Sequence, residues 1–213
     1  MLDHFASHPQ LLPAALLIFA FVTTLLWMGR SLPAQNVISV AVILAALAGI
    51  MEIVGAKFGT PFGRFSFTDI AGTRLFGLLP WTVPLMWVVV TLNSRGTARL
   101  ILRPWRASPN IGLWTLALAC ALMVLLDAAL ELYAKANRYW VWQTPKIVPA
   151  WQGVPWTNYF GWIITGLLLL TCVMPWLIDK KRLKDPPTDY YPAVIWLVLF
   201  LFLAASDAAH HFR

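Results

Sequence analysis

Residues 111–134 read IGLWTLALACALMVLLDAALELYA, and this one stretch decides the class of the protein. An α-helix rises about 1.5 Å per residue and the hydrocarbon core of a bilayer is about 30 Å thick, so about 20 apolar residues make a span. The run is long enough, and its acidic residues, Asp127 and Glu131, come only near its end. Working outward, segments at roughly 11–29, 36–55, 78–94, 157–177 and 190–209 share its character. Lipid offers the backbone no hydrogen-bond partner, which predicts helix in every span. The short alternating segments of a transmembrane β-barrel are missing. The expectation is an all-α polytopic membrane protein. It is one domain over residues 1–213, a bundle of about six transmembrane helices with two Gly/Pro/aromatic loops capping one face.

Composition agrees. Of 213 residues, 60% are apolar and 12% charged, and the mean hydropathy is +0.70. A soluble domain is about 45–50% apolar and about 25% charged. An ordinary soluble domain, a disordered chain and a nucleic-acid-binding module are therefore excluded. The net charge of +7, from 16 Lys and Arg against 9 Asp and Glu, would suggest an anionic partner in a soluble protein. In a membrane protein it reads as topology, because Lys and Arg favour cytoplasmic loops. Connections one, three and five hold Arg30, then Arg95, Arg99, Arg103 and Arg106, then Lys180, Lys181, Arg182 and Lys184, nine of the 16 basic residues. That side is expected in the cytoplasm, with both termini and the long loops, about 56–77 and 135–156, outside the cell (inner) membrane. The N-terminal MLDHFASHPQ lacks Lys and Arg, so the first apolar run reads as a retained span rather than a signal peptide. Cys120 and Cys172 sit in apolar runs, away from any metal-type neighbour, and predict no disulfide framework.

Ionisable groups within spans carry the sharpest functional signal, since a charge at a helix centre costs on the order of 2.5–3.5 kcal/mol on insertion scales. Glu52, Asp127, Glu131 and Asp207 qualify, and the topology puts all four toward the face of the long loops, with Asn158 at the same depth. Asp127 and Glu131 are spaced i, i+4, which stacks them on one helix face about 6 Å apart along the axis. Two close carboxyls away from water do not both ionise cheaply, so the pair is equipped to keep one proton. A protonated acid beside an ionised one supplies a donor and a base, and Glu52 from another helix completes the set. Simpler roles stand beside this one. Glu131 precedes Lys135 by one turn and suits a helix ion pair; Glu52 could pair with Lys57 or Arg64; Asp207, near His210 and His211, reads as solvated tail.

The chain has 12 Trp. An interfacial belt accounts for Trp27, Trp105 and Trp176. Trp140, Trp142, Trp151, Trp156, Tyr159 and Trp162 are denser and lie near the acids together with Phe58, Phe62, Phe65 and Phe67. Such rings form either a belt or a slot for a long apolar ligand, and aromatic faces stabilise cations. His4, His8, His210 and His211 lack metal-ligand spacing, and no phosphate loop, dinucleotide fingerprint or nucleophile elbow is present.

Several motifs carry a resemblance. Glu52-x-x-Gly55 is followed by Phe58-Gly59-Thr60-Pro61-Phe62-Gly63-Arg64-Phe65-Ser66-Phe67-Thr68. Later come Pro80, Pro84 and Trp87; Asp127 with an acid four residues on; Trp140-x-Trp142; and Gly153-Val154-Pro155-x-x-Asn158-Tyr159-Phe160-Gly161-Trp162. Over about residues 50–165 this set resembles the CruF-type carotenoid 1,2-hydratases and the bisanhydrobacterioruberin hydratases in order and spacing. The family pattern has an aspartate followed by proline where this chain has Glu131-Leu132, and tyrosines where it has Phe65 and Phe67.

The resemblance implies addition of water to the terminal double bond of an acyclic (ψ) carotenoid end, giving a tertiary alcohol without cofactor or metal. For that reaction Asp127, Glu131 and Glu52 are the expected catalytic acids, Asp127 protonating the alkene and Glu131 or Glu52 activating water. Asn158, Trp140, Trp142, Trp162, Tyr159, Phe62, Phe65 and Trp87 would bind the substrate. The implied partners are the lipophilic carotenoid and membrane lipid. A transporter with an acidic path, an isoprenoid cyclase sharing the protonation step, and a non-catalytic assembly factor are the rival readings.

Overall fold

The computed structural model describes residues 11–143, 148–177 and 188–211, with the helix backbone alone at 11 and 206–211. The expectations for His4, His8, Lys180, Lys181, Arg182 and Lys184, and for the side chains of Asp207, His210 and His211, lie outside the described residues. Among the described residues there are six α-helices: α1 (Leu11–Met28), α2 (Ala34–Phe58), α3 (Thr82–Ile101), α4 (Ile111–Ala136), α5 (Trp156–Leu177) and α6 (Tyr191–His211). Three of them, α2, α4 and α5, are long and apolar enough to cross a membrane, and α1 and α6 hold shorter apolar runs.

The least apolar helix, α3, is the one wrapped by the others: α1, α2, α4 and α6 all pack on it. Its polar side chains Thr91, Asn93, Ser94 and Thr97 are buried in protein instead of facing lipid, which is why a span so polar is tolerated. Its boundaries differ from the expected 78–94. Leu79–Pro80 pairs with Arg74–Leu75 as a short hairpin, and the helix runs on through Arg95 and Arg99, residues assigned from sequence to the connection. Arg99 is exposed near the helix end, where a long arginine side chain reaches outward without terminating the helix. At Gly96 the α3 backbone meets α6 closely: a Cβ there would stand 2.4 Å from the Pro192 Cβ.

Helices α2, α3, α4 and α5 form a ring, α2 and α4 each touching both α3 and α5. The two long loops close one end of it. Helix α2 stops at Gly59, which adopts φ 76° and donates its N–H to the Gly55 carbonyl, a left-handed cap that glycine takes without strain. The turn after it drives Phe62, 1% exposed, between α2 and α5. A Cβ on Gly55 or on Gly161 would come within 2.6 Å of the Phe62 ring, so the two glycines make the slot for the wedge. Beyond the wedge, β1 (Phe65–Phe67) pairs antiparallel with β2 (Trp140–Trp142), in the register Phe65↔Trp142 and Phe67↔Trp140. Strand side chains alternate, so Phe65, Phe67, Trp140 and Trp142 turn inward while Ser66 and Val141 are exposed. The expected cap is thus a small two-stranded roof of aromatic rings.

Candidate active site

Under this roof the ring of helices brings three carboxyls to one place. Glu52 comes from α2, and Asp127 and Glu131 from consecutive turns of α4; they are 8%, 1% and 3% exposed. Asn158, on the first turn of α5, ties the α4 pair together. Its amide Nδ2 donates to Asp127 Oδ2 at 2.7 Å and to Glu131 Oε1 at 3.3 Å. The other Glu131 oxygen, Oε2, accepts from the indole N–H groups of Trp140 (3.0 Å) and Trp142 (2.9 Å). Glu52 Oε1 accepts from the Trp87 indole at 2.8 Å. Asp127 Oδ1 is buried with no hydrogen-bond partner.

The simpler roles weighed for these acids are therefore not what the structure contains. Lys135 donates instead to the Gln152 carbonyl at 2.7 Å, at the surface, and Glu52 bonds to an indole rather than to Lys57 or Arg64. A buried carboxyl with no cation needs N–H donors to offset desolvation. Tryptophan supplies one from an otherwise apolar ring, so each indole is both wall and hydrogen-bond donor.

The acids surround a cavity of about 20 Å³, room for about one water molecule. Its walls are Glu52, Asp127, Glu131, Asn158, Trp140, Trp142, Trp162, Phe62 and Phe65, all anticipated from sequence, and also Phe67, Val83, Met86 and Leu130. Met86 and Leu130 bring apolar bulk that no motif marks, because only the packing of α3 on α4 puts them there. Two anticipated residues sit differently. Trp87 lies behind the wall, stacked on Trp162 with ring centroids 4.0 Å apart, and holds Glu52. Tyr159 turns toward Trp151 and Trp156, and its buried hydroxyl has no partner. Among the described residues, no three His, Cys, Asp or Glu side chains are grouped so as to hold a metal ion.

The role of the indoles was missed in sequence. Aromatic density near the acids was visible, but the N–H groups aimed at Glu131 follow from the β1–β2 pairing, which joins segments about 75 residues apart. The chemistry available is that of a proton donor, a fixed carboxylate and a water-sized space lined by aromatic rings.

Fold and site together define a helical membrane protein with a buried acid cluster under an aromatic roof. The chain matches the carotenoid biosynthesis protein family over residues 12–212 and belongs to that family. A bisanhydrobacterioruberin hydratase of Haloarcula japonica is 30% identical over 140 residues, 64% of this chain. The match spans 45% of that relative's own length. No solved structure matches the chain.

Proposed function

We propose that the protein is a carotenoid hydratase, adding water to the terminal C=C of an acyclic end group by acid/base catalysis. The observation that carries this reading is the unequal pairing of the two α4 acids. Glu131 accepts three N–H bonds, a setting that suits a carboxylate. Asp127 accepts one, and its second oxygen is buried without a partner in a residue that lines the cavity. A protonated Asp127, with the proton on Oδ1, resolves that asymmetry and leaves a donor facing the substrate space.

The alkene π pair takes the proton from Asp127 Oδ1, forming a new C–H bond and leaving a tertiary cation on the neighbouring carbon. The faces of Trp140, Trp142 and Trp162 stabilise that cation. A water oxygen bonds to it, and Glu131 or Glu52 accepts the proton that water releases. Return of one proton through water to Asp127 restores the site. No electron is gained or lost, so the step asks for no redox partner.

The reading extends to setting. The protein is a multi-pass protein of the cell (inner) membrane, and its lipophilic substrate reaches the cavity from the bilayer. Similarity to the hydratase of Haloarcula japonica supports the reaction class.

Expression of the chain in a host that accumulates acyclic carotenoids, followed by mass analysis of pigments, tests this directly. The expected product is heavier than its precursor by one water. A ring product of unchanged mass would make the protein a cyclase instead. Asp127→Asn is expected to abolish conversion while the protein still inserts and folds; full conversion by that variant would remove Asp127 as the donor.

A further inference from the structure

A second polar region lies on the far side of the Trp87–Trp162 stack. One turn beyond Trp87 on α3 is Thr91, and one turn beyond Trp162 on α5 is Thr165; both are fully buried. Ser94 and Thr97 continue the series along α3, at 0% and 7% exposure, and Asn93 is fully buried beside them. The hydroxyls of Thr91, Ser94, Thr97 and Thr165 and the carbonyl oxygen of Asn93 have no hydrogen-bond partner.

This is not how hydroxyls elsewhere in the bundle behave. Thr23, Thr24 and Thr115 each donate to the carbonyl one turn back, at 2.7, 2.6 and 2.7 Å, the usual way for a helical threonine in an apolar setting to satisfy itself. The α3 and α5 hydroxyls make no such bond. The Asn93 amide is already used, by Thr24 Oγ1 and the Val89 carbonyl, both at 2.8 Å. Four buried hydroxyls on these two helices, each costing about 1–3 kcal/mol if left bare, call for a partner. Water is the partner that suits them, because each offers an oxygen and a water makes two to four bonds.

Spacing supports a chain of such waters. Thr91, Ser94 and Thr97 follow at intervals of three residues, a rise of about 4.5 Å each. One water bridging two hydroxyls spans about 5.5 Å. The series starts beneath the indole stack that forms the floor of the acid cavity and runs away from the roof.

We propose that Thr91, Ser94, Thr97 and Thr165 hold ordered water beneath the Trp87–Trp162 stack, and that this water resupplies the acid cavity from the side opposite the loops. The first part stands on the buried hydroxyls alone; the second rests on the hydratase reading. A hydratase uses one water per turnover, and its apolar substrate occupies the lipid side of the cavity. A separate polar route lets the two reactants arrive without displacing each other.

The test has two arms on the full chain in lipid nanodiscs. In the first, an X-ray pulse converts bound water to hydroxyl radical, and oxidation of nearby side chains is read by mass spectrometry. Met123 is fully buried and packs against α5 at Gly166, next to Thr165. It is expected to be oxidised in the wild type and spared in Thr91→Val/Thr165→Val, with exposed Met174 unchanged between the two as a control on folding. An unoxidised Met123 in the wild type overturns the water site. In the second arm, Thr91→Val/Thr165→Val and the milder Ser94→Ala are compared for pigment hydration. The double variant is expected to convert about tenfold more slowly. Wild-type hydration matched by the double variant, with Met123 spared, overturns the supply role. A wild type that makes no hydrate sinks the hydratase reading and leaves the first arm to decide on the water by itself.

Discussion

At the scale of single residues, the site is organised by N–H donors whose partners are all carboxyl oxygens. Asn158 is the clearest case, since its one amide nitrogen serves Asp127 and Glu131 at once. Asn158→Ala is expected to abolish hydration and to lower stability by about 1–3 kcal/mol, because two buried acceptors lose their donor. Pigment conversion and thermal unfolding in detergent check the two parts separately. The indoles lead to a finer prediction. Trp142→Phe keeps the ring over the cavity but removes the N–H held 2.9 Å from Glu131 Oε2. Conversion is expected to fall about 10- to 100-fold with little change in substrate binding. Trp140→Phe should behave alike, since its N–H lies 3.0 Å from the same oxygen. A kcat unchanged in both would mean that the indoles serve as wall only.

At the scale of elements, the positions of these residues depend on how loops are seated on helices. The Phe62 wedge sets the separation of α2 and α5, and through it the approach of Glu52 and Asn158. A Cβ at position 161 would stand 2.6 Å from the Phe62 ring and 3.0 Å from the Pro61 backbone. Gly161→Ala is therefore expected to destabilise by about 1–3 kcal/mol, as overpacking does. Adding Phe62→Leu should recover part of that stability, because the smaller side chain vacates the space. Recovery of stability without recovery of hydration is the expected pattern, since Phe62 also lines the cavity. Thermal unfolding of the single and double variants reads the first effect and pigment analysis the second.

At the scale of the whole molecule, the end of the bundle that bears the acids is roofed by short strands, and the other end carries Arg103 and Arg106 in the α3–α4 connection. The charge rule predicts a cytoplasmic side for that connection. In a Cys120→Ala/Cys172→Ala background, Ser66→Cys on the roof is expected to react with a membrane-impermeant maleimide in intact cells. Ala107→Cys, exposed in the α3–α4 connection, is expected to react only after lysis; the opposite pattern would invert the protein. Much of this architecture was legible in the chain, and for one reason. A bilayer imposes a length and a polarity on every crossing segment, so five of the six helices begin and end close to where apolar runs do. The sixth, α3, was misplaced because it answers to neighbouring helices rather than to lipid, and protein neighbours accept Asn93 and Thr91 where lipid would not. The acids were legible too, since a carboxyl in a span is costly and so conspicuous. Sequence alone thus determined a helical membrane protein with Glu52, Asp127 and Glu131 at one depth, because depth follows from position along a span. Which partners those acids have, and that Met86 and Leu130 close the cavity around them, only the tertiary structure decided, because bonds between segments far apart in the chain depend on how helices rotate and loops pair.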